Sequence, residues 1–151
     1  MPRFAIRERL DVFEPRRLVR SAAAAVGFRH NCCLELAIVV SELCSNVLKY
    51  GIEGSIEFDK VVDPPNGPGL VILATDIGPP FRNLELALQD GHDDRGPIDP
   101  GSMLTRGGLG TGLGAITRLT DAFSVQYAEG SKTISVKRYV TRPRTTAVTR
   151  K

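Results

Sequence analysis

Residues 31–50 read NCCLELAIVVSELCSNVLKY and carry the most regular pattern in the chain. Apolar side chains recur there at intervals of three and four, which is the spacing of one face of an α-helix. They are Cys33, Leu36, Ala37, Val40, Leu43, Cys44 and Val47. Asn31 is a suitable N-cap and Gly51 follows the last residue. The pattern therefore predicts a helix from about Asn31 to Tyr50 that packs against a hydrophobic core.

A different face of the same helix is polar and carries Glu35, Glu42, Asn46 and Lys49. Glu42 and Asn46 are one helical turn apart, so their side chains project from the same face. Both offer oxygen atoms that can accept a hydrogen bond or bind a metal ion. The same pair is also typical of a solvated helix surface, and spacing alone leaves that alternative open.

The segments before this helix predict a strand followed by a first helix. Apolar residues alternate within residues 3–12, which is typical of a strand. Helical spacing then relates Leu18, Val19, Ala22 and Val26. Glu14-Pro15 is a favourable helix start, and Gly27 is a natural helix end.

After Gly54 the apolar pattern changes to a period of two and predicts strands. Ile56 and Phe58 indicate the first of them. Residues 63–69 are rich in proline and glycine and predict a turn. Leu70 to Thr75 is a nearly continuous apolar run, as in a buried strand.

The rest of the chain predicts two helices, an irregular segment and a hairpin. We expect a short helix over residues 83–89 and a longer one over residues 111–122. Residues 90–108 between them lack a regular pattern, which is typical of a functional loop. Residues 123–127 and 132–140 predict a hairpin. This order of elements predicts an α+β fold, a two-layer sandwich in which helices pack on one face of a mixed sheet.

The composition is that of one soluble globular domain. The chain has 151 residues, of which 42% are hydrophobic and 25% charged. No apolar run comes near the roughly 20 residues of a membrane helix, and the N-terminus does not resemble a secretory signal. The three cysteines have neither disulfide-framework nor zinc-site spacing, so we expect a reducing, cytoplasmic environment. Cys33 and Cys44 lie on the apolar stripe and are expected in the core.

The net charge of +3 depends on the C-terminal end. Four basic residues lie there without acidic neighbours: Arg142, Arg144, Arg150 and Lys151. Removing these four charges from +3 leaves −1 for the rest, which argues against a nucleic-acid-binding face. We expect residues 141–151 to form a basic, flexible tail.

Asp76 follows the second predicted strand and precedes Gly78 by two positions. A carboxylate at a strand end can accept a hydrogen bond from an exocyclic amine, and a glycine nearby lets the backbone approach a flat ring. An ordinary Asx turn explains the same residues equally well.

The segment from Gly107 to Gly114 reads GGLGTGLG and leads directly into a predicted helix. Such a loop exposes several backbone N–H groups beside a helix start, an arrangement that favours phosphate. It is neither a Walker loop, since no G-K-[ST] follows, nor a Rossmann fingerprint, since no strand precedes it. A flexible hinge is the structural alternative. Thr133, at the start of a predicted strand, is a further hydroxyl that can contact phosphate.

Taken in order, these features resemble the ATP site of the GHKL superfamily. The segment from Ser41 to Tyr50 resembles its N box, Asp76-Ile77-Gly78 its first glycine box, and Gly108–Leu113 its second. The resemblance implies the Bergerat-type ATP-binding fold for residues 1–140, with the ATP lid at about residues 90–108.

Four stretches are similar to small bacterial partner-switching kinases, namely the anti-sigma factor kinases and the RsbT-like stressosome switch kinases. They are VSELCSNVLKYG (40–51), LALQDG (86–91), TRGGLGTGL (105–113) and ITRLTDAF (116–123). The similarity extends from about Phe4 to Tyr139. It implies an ATP-dependent protein-serine/threonine kinase that phosphorylates a STAS-domain antagonist and switches binding partners in a bacterial stress or sigma-factor response.

The resemblance also implies roles for individual residues. Glu42 would be the catalytic residue, as general base or as the group that orients the attacking hydroxyl. Asn46 would hold Mg²⁺, and Asp76 would accept a hydrogen bond from the adenine amino group beside Gly78. The phosphates would lie against a glycine-rich cradle made of Gly108, Gly110, Gly112 and Leu113. Lys49 and Thr133 are weaker candidates for contacts with ATP or ADP.

Three partners fit a protein of this kind: a STAS-domain protein, a phosphatase or a sigma factor. The alternatives to a switch kinase are an anti-sigma factor that sequesters a sigma factor, and a catalytically weak ATP-binding interaction module. A histidine kinase is disfavoured, because neither His30 nor His92 lies on a predicted dimerisation helix. No nucleic acid or membrane partner is expected.

Two features depart from the family pattern. Pro80 stands where the first glycine box usually has its second glycine, which stiffens the turn and removes an N–H donor. The loop over residues 92–104 is longer than in the close relatives and would lie in the ATP lid.

Overall fold

The computed structural model describes residues 1–50, 53–78, 80, 84, 92–93, 96–97, 112–141 and 147–150. The helices with defined bounds are α1 (Phe13–Val26), α2 (His30–Tyr50) and α3 (Leu113–Leu119). A 3-10 helix at Arg9–Val12 precedes α1. The strands are β1 (Arg3–Ile6), β2 (Gly54–Asp63), β3 (Gly67–Asp76), β4 (His92–Asp93), β5 (Gly96–Pro97), β6 (Ala122–Ala128), β7 (Ser131–Tyr139) and β8 (Ala147–Arg150).

The main sheet has the strand order β1-β2-β3-β7-β6-β8. Neighbouring strands are antiparallel except β6 and β8, which are parallel, so the sheet is mixed. Strands β4 and β5 form a separate short pair. The predicted α+β class, with helices against a mixed sheet, is confirmed.

The core lies between the sheet and the helices, and α2 is its centre. Alternate residues of β2, β3, β6 and β7 face the helices, because successive side chains of a strand point to opposite faces. The buried strand residues include Ile56, Phe58, Leu70, Ile72, Ala74, Phe123, Val125, Ile134 and Val136. The apolar stripe predicted on α2 is buried against them.

Both N-terminal helices agree with the sequence prediction to within one residue. Helix α1 ends at Gly27, whose φ of +117° is the left-handed conformation that glycine adopts without strain. The N–H of Gly27 donates to the carbonyls of Ala23 and Ala24. Cys33 and Cys44 are buried as expected, and burial raises the pKa of the Cys44 thiol to about 12.

The N-terminal strand is shorter than predicted. It ends at Ile6, and residues 9–12 form the 3-10 helix instead of continuing the strand. The Asp11 carboxylate accepts hydrogen bonds from the backbone N–H groups of Arg7 (2.8 Å) and Glu8 (3.0 Å) and so stabilises this turn. These local bonds outweigh the alternating pattern.

The C-terminal part also differs from expectation. Helix α3 spans Leu113–Leu119, where the sequence predicted residues 111–122. Ala147–Arg150 pairs with β6 as a strand, where a frayed tail was expected, and so covers backbone groups that an edge strand would leave unpaired. Of the helix predicted over residues 83–89, only Leu84 is described, and it is helical and buried.

Helix α2 is long and apolar enough to span a membrane when judged by length and composition alone. Residues His30–Lys49 have a mean hydropathy of 1.4, which corrects the expectation that no segment comes near that length. However, 67% of this stretch is buried inside the fold. The helix therefore has the burial of a core helix.

At Gly54, helix α2 packs closely on the sheet. A Cβ atom at this position would collide with Cγ1 of Val47 on α2. Replacing glycine by alanine in a strand normally stabilises a protein. Here we expect Gly54→Ala to lower the free energy of unfolding by about 1–3 kcal/mol, because the added methyl group overpacks the contact with Val47. Urea unfolding measures the effect.

The double variant Gly54→Ala/Val47→Ala is the control for this collision. If the collision is the cause, the double variant is more stable than the two separate losses predict, by about 1 kcal/mol. Strictly additive losses would contradict the close approach.

Candidate functional site

Helix α2 turns Glu42 and Asn46 toward the interior. Glu42 is 2% exposed and Asn46 is 3% exposed, which excludes the alternative of a solvated helix surface. The Nδ2 atom of Asn46 has no hydrogen-bond partner among the described residues, whereas Glu42 does have polar interactions. A buried N–H donor without a partner costs about 1–3 kcal/mol, so its retention here points to a hydrogen-bond acceptor on a bound ligand.

Asp76 is the last residue of β3 and is also buried. Its Oδ1 accepts a hydrogen bond of 2.8 Å from the N–H of Gly78, which is the Asx-type turn that the sequence allowed. Its Oδ2 lies 3.7 Å from Nζ of Lys132. Both side chains of this ion pair are 1% exposed.

The contact between Gly54 and α2 brings the end of β3 close to the C-terminal half of that helix. Val47 follows Asn46 in the sequence and packs on Gly54, and Gly54 is the register partner of Asp76 across β2 and β3. The end of β3 thus lies beside the C-terminal half of α2. Asn46 and Asp76, which the sequence predicted as site residues, are therefore near one end of the sheet.

Burial raises the pKa of the Asp76 carboxyl above its usual value, because the charged form loses its water. The Lys132 ammonium and the Gly78 N–H act in the opposite direction and favour the ionised form. Asp76 therefore depends on these two donors to serve as a charged acceptor.

Lys132 was not among the site residues predicted from the sequence. The prediction named its neighbour, Thr133, as a contact for phosphate. In register, Lys132 lies opposite Asp76 and Thr133 opposite Thr75. Thr133 faces the other side of the sheet, where its hydroxyl lies 3.1 Å from that of Thr75. The structure thus does not bring Thr133 together with Asp76. The strand alternation of β7 is the sequence signal that would have identified Lys132.

The remaining predicted site residues are placed as follows. Gly112 has a φ of +71° at the N-cap of α3, and Leu113 begins that helix and is buried. Lys49 is exposed at the end of α2 and has a polar interaction. Pro80 is exposed. Gly108 and Gly110, with most of the expected lid at 90–108, lie outside the described residues.

The chemistry of the described residues fits a magnesium ion held mainly by a nucleotide. Mg²⁺ prefers oxygen ligands and is usually bound by one or two protein side chains together with phosphates and water. Asn46 can supply an amide oxygen at a buried position. Among the described residues there is no cluster of three His, Cys, Asp or Glu that would hold an ion without phosphates.

The chain matches the family model described as the histidine kinase-like ATPase domain over residues 8–138. It therefore belongs to this family, and the predicted GHKL membership and ATP binding are confirmed at that level. A chain of the SiaB–SiaC complex from Pseudomonas aeruginosa has the same fold, with a TM-score of 0.51 and 15% identity. That alignment covers 91% of this chain and 89% of the other.

One relative defines the class more narrowly. The serine/threonine-protein kinase RsbT of Bacillus subtilis (strain 168) is 32% identical over 123 residues, which are 82% of this chain and 84% of that protein. The expectation of an RsbT-like protein-serine/threonine kinase is confirmed by this relationship.

Lys132 is expected to stabilise the buried carboxylate of Asp76. Removing one partner of a buried ion pair leaves an uncompensated charge, so Lys132→Met should lower the free energy of unfolding by about 3–5 kcal/mol near neutral pH. Because burial raises the pKa of Asp76 in the folded state, that state binds the proton more tightly than the unfolded state. The stability of this variant should therefore fall as the pH rises through the folded-state pKa. Urea unfolding at pH 5 and pH 8 measures this.

The double variant Asp76→Asn/Lys132→Met carries no charge at the pair and is the matched control. Its free energy of unfolding should fall by less than that of Lys132→Met, and this loss should not depend on pH in the same way. An equal loss in both variants at both pH values would show that the two groups do not interact.

Proposed function

We propose that this chain is the kinase of a bacterial partner-switching module. In this proposal, it transfers the γ-phosphoryl group of ATP to a serine or threonine of a STAS-domain protein and changes binding partner as a result. The similarity to the RsbT kinase supports the reaction class. The observation that carries the proposal is the buried pair on α2, where the Nδ2 donor of Asn46 has no partner among the described residues and can donate to a phosphate oxygen.

The end of β3 would bind the adenine base. Asp76 would accept a hydrogen bond from the adenine amino group, and Lys132 would hold that carboxylate ionised and in place. The Gly78 N–H already fixes one carboxylate oxygen at 2.8 Å, which limits the rotation of the side chain. The base would therefore meet an acceptor that is oriented before it binds.

The start of α3 and the polar face of α2 would bind the phosphates. We assign the cradle to Gly108, Gly110, Gly112 and Leu113, and a further contact to Lys49. Asn46 would hold Mg²⁺ through its amide oxygen, and the ion would supply positive charge near the phosphates. Residues 1–140 would form this kinase domain, with the lid at about 90–108.

Glu42 would act as the general base. Its carboxylate would accept the proton of the substrate hydroxyl as that oxygen bonds to the γ-phosphorus, and ADP would leave with the electrons of the broken bond. Phosphoryl transfer requires mainly positioning and neutralisation of charge. A rigid helix that fixes Glu42 and Asn46 one turn apart meets the first requirement.

A STAS-domain protein is our preferred partner, and a phosphatase would be the second partner in such a module. A chain with the same fold occurs in a complex, SiaB–SiaC, which is in keeping with binding to another protein. The alternative is an anti-sigma factor or a catalytically weak ATP-binding module, in which Pro80 weakens nucleotide binding. We expect the protein to act in the bacterial cytoplasm.

Glu42→Gln tests the assignment of the base. The amide keeps the shape of the side chain but cannot accept the proton, so we expect the rate of phosphotransfer to fall by about 10²–10⁴-fold with little change in ATP affinity. The measurement uses γ-labelled ATP and a STAS-domain protein with serine at its acceptor position.

Glu57→Gln makes the same chemical change on the opposite face of the sheet and is the matched control. It should transfer phosphate at the wild-type rate. Undiminished transfer by Glu42→Gln would contradict the role of Glu42, whereas ATP binding without transfer by the wild type would favour the weak-module alternative.

A further inference from the structure

A surface groove runs between α1 and α2, apart from the residues assigned to the nucleotide. Two cavities of about 400 Å³ and 220 Å³ lie along it. They adjoin, because Phe13, Arg16 and Ser41 line both. Together they form one continuous depression, which we call the α1–α2 groove.

The groove is basic. Four arginines line it: Arg9, Arg16, Arg17 and Arg20. Arg17 forms an ion pair of 3.0 Å with Glu14, and the other three have no ion pair within the described part of the chain. No acidic residue that the structure describes lines either cavity. The positive charge of the groove is thus largely uncompensated.

The groove is also apolar along its floor and rim. Phe13 is 63% exposed and Leu34 is 38% exposed, although both are large hydrophobic side chains. Ala37, Ile38 and Leu48 add apolar surface from α2. Exposed apolar residues beside arginines are characteristic of protein-binding surfaces, where aromatic and arginine side chains contribute most of the affinity.

We propose that the α1–α2 groove binds an acidic amphipathic helix of a partner protein. A helix can lay its apolar face on Phe13 and Leu34, while its carboxylates meet the arginines as bidentate pairs. The 14 residues of α1 extend about 21 Å, which matches a helix of three to four turns. A flat membrane surface fits less well, because the apolar residues line a depression.

This inference adds a docking site to the proposed function and rests on it only in expecting a partner protein. It does not require phosphotransfer, so the two can fail separately. The probe is a fluorescent peptide of about 18 residues with leucines on one helical face and glutamates on the others. A peptide of the same composition in scrambled order is the control for non-specific charge.

Fluorescence anisotropy should show binding of the amphipathic peptide and much weaker binding of the scrambled one. Arg16→Glu/Arg20→Glu should weaken binding by about tenfold or more, because like charges then face each other. Arg3→Glu/Arg29→Glu makes the same charge change at exposed arginines outside the groove and should change affinity by less than about twofold. Phe13→Ala should weaken binding without changing the charge.

Three outcomes would overturn the proposal. Equal binding of the two peptides, or equal losses in the two double variants, would reduce the effect to general electrostatics. Tighter, arginine-dependent binding to phosphatidylglycerol vesicles than to the peptide would assign the groove to a membrane. A wild-type dimer that Phe13→Ala dissociates in sedimentation would assign it to a second copy of the chain.

Discussion

The burial of α2 against the sheet is the constraint on which the other features of the molecule depend. The apolar stripe of this helix fills the core, and the neighbouring face carries Glu42 and Asn46 into the interior. Burying a polar side chain is unfavourable unless it is hydrogen-bonded. The fold thus maintains a polar position at its centre, and the phosphates of a bound nucleotide would give the Nδ2 donor of Asn46 an acceptor.

Close contact between α2 and the sheet then determines where the second half of the site lies. Gly54 allows Val47 to approach β2, and the same glycine is paired with Asp76 at the end of β3. Lys132 follows from the next pairing, because β7 places it opposite Asp76. A helix–sheet contact, a strand pairing and a buried ion pair are thus linked in one end of the molecule.

Much of this arrangement could be predicted from the sequence. The apolar spacing within residues 31–50 located α2 to within one residue, and the nearly continuous apolar run before Asp76 indicated β3. Elements that depend on local hydrogen bonds or on pairing with distant strands could not be predicted in this way. Asp11 stabilises a 3-10 helix where a strand extension was expected, and Ala147–Arg150 forms a strand by pairing with β6.

In the candidate site, too, local spacing was predictable and the effects of tertiary packing were not. Spacing predicted that Glu42 and Asn46 share a helix face, but only the packing shows that this face is buried. The sequence analysis predicted a ligand contact for Thr133, but the pairing of β7 with β3 places Lys132 opposite Asp76. Which of two adjacent strand residues faces the interior depends on register, and register is set by the whole sheet.

The most direct test of the account is a calorimetric titration with ATP, with and without Mg²⁺, of the wild type and of Asp76→Asn. Thermal unfolding should first show that both proteins are folded. We predict Mg²⁺-dependent binding of ATP to the wild type and a large loss of affinity in Asp76→Asn, because the amide cannot replace the charged acceptor beside Lys132. Equal binding by both folded proteins would contradict the placement of the adenine site at the end of β3.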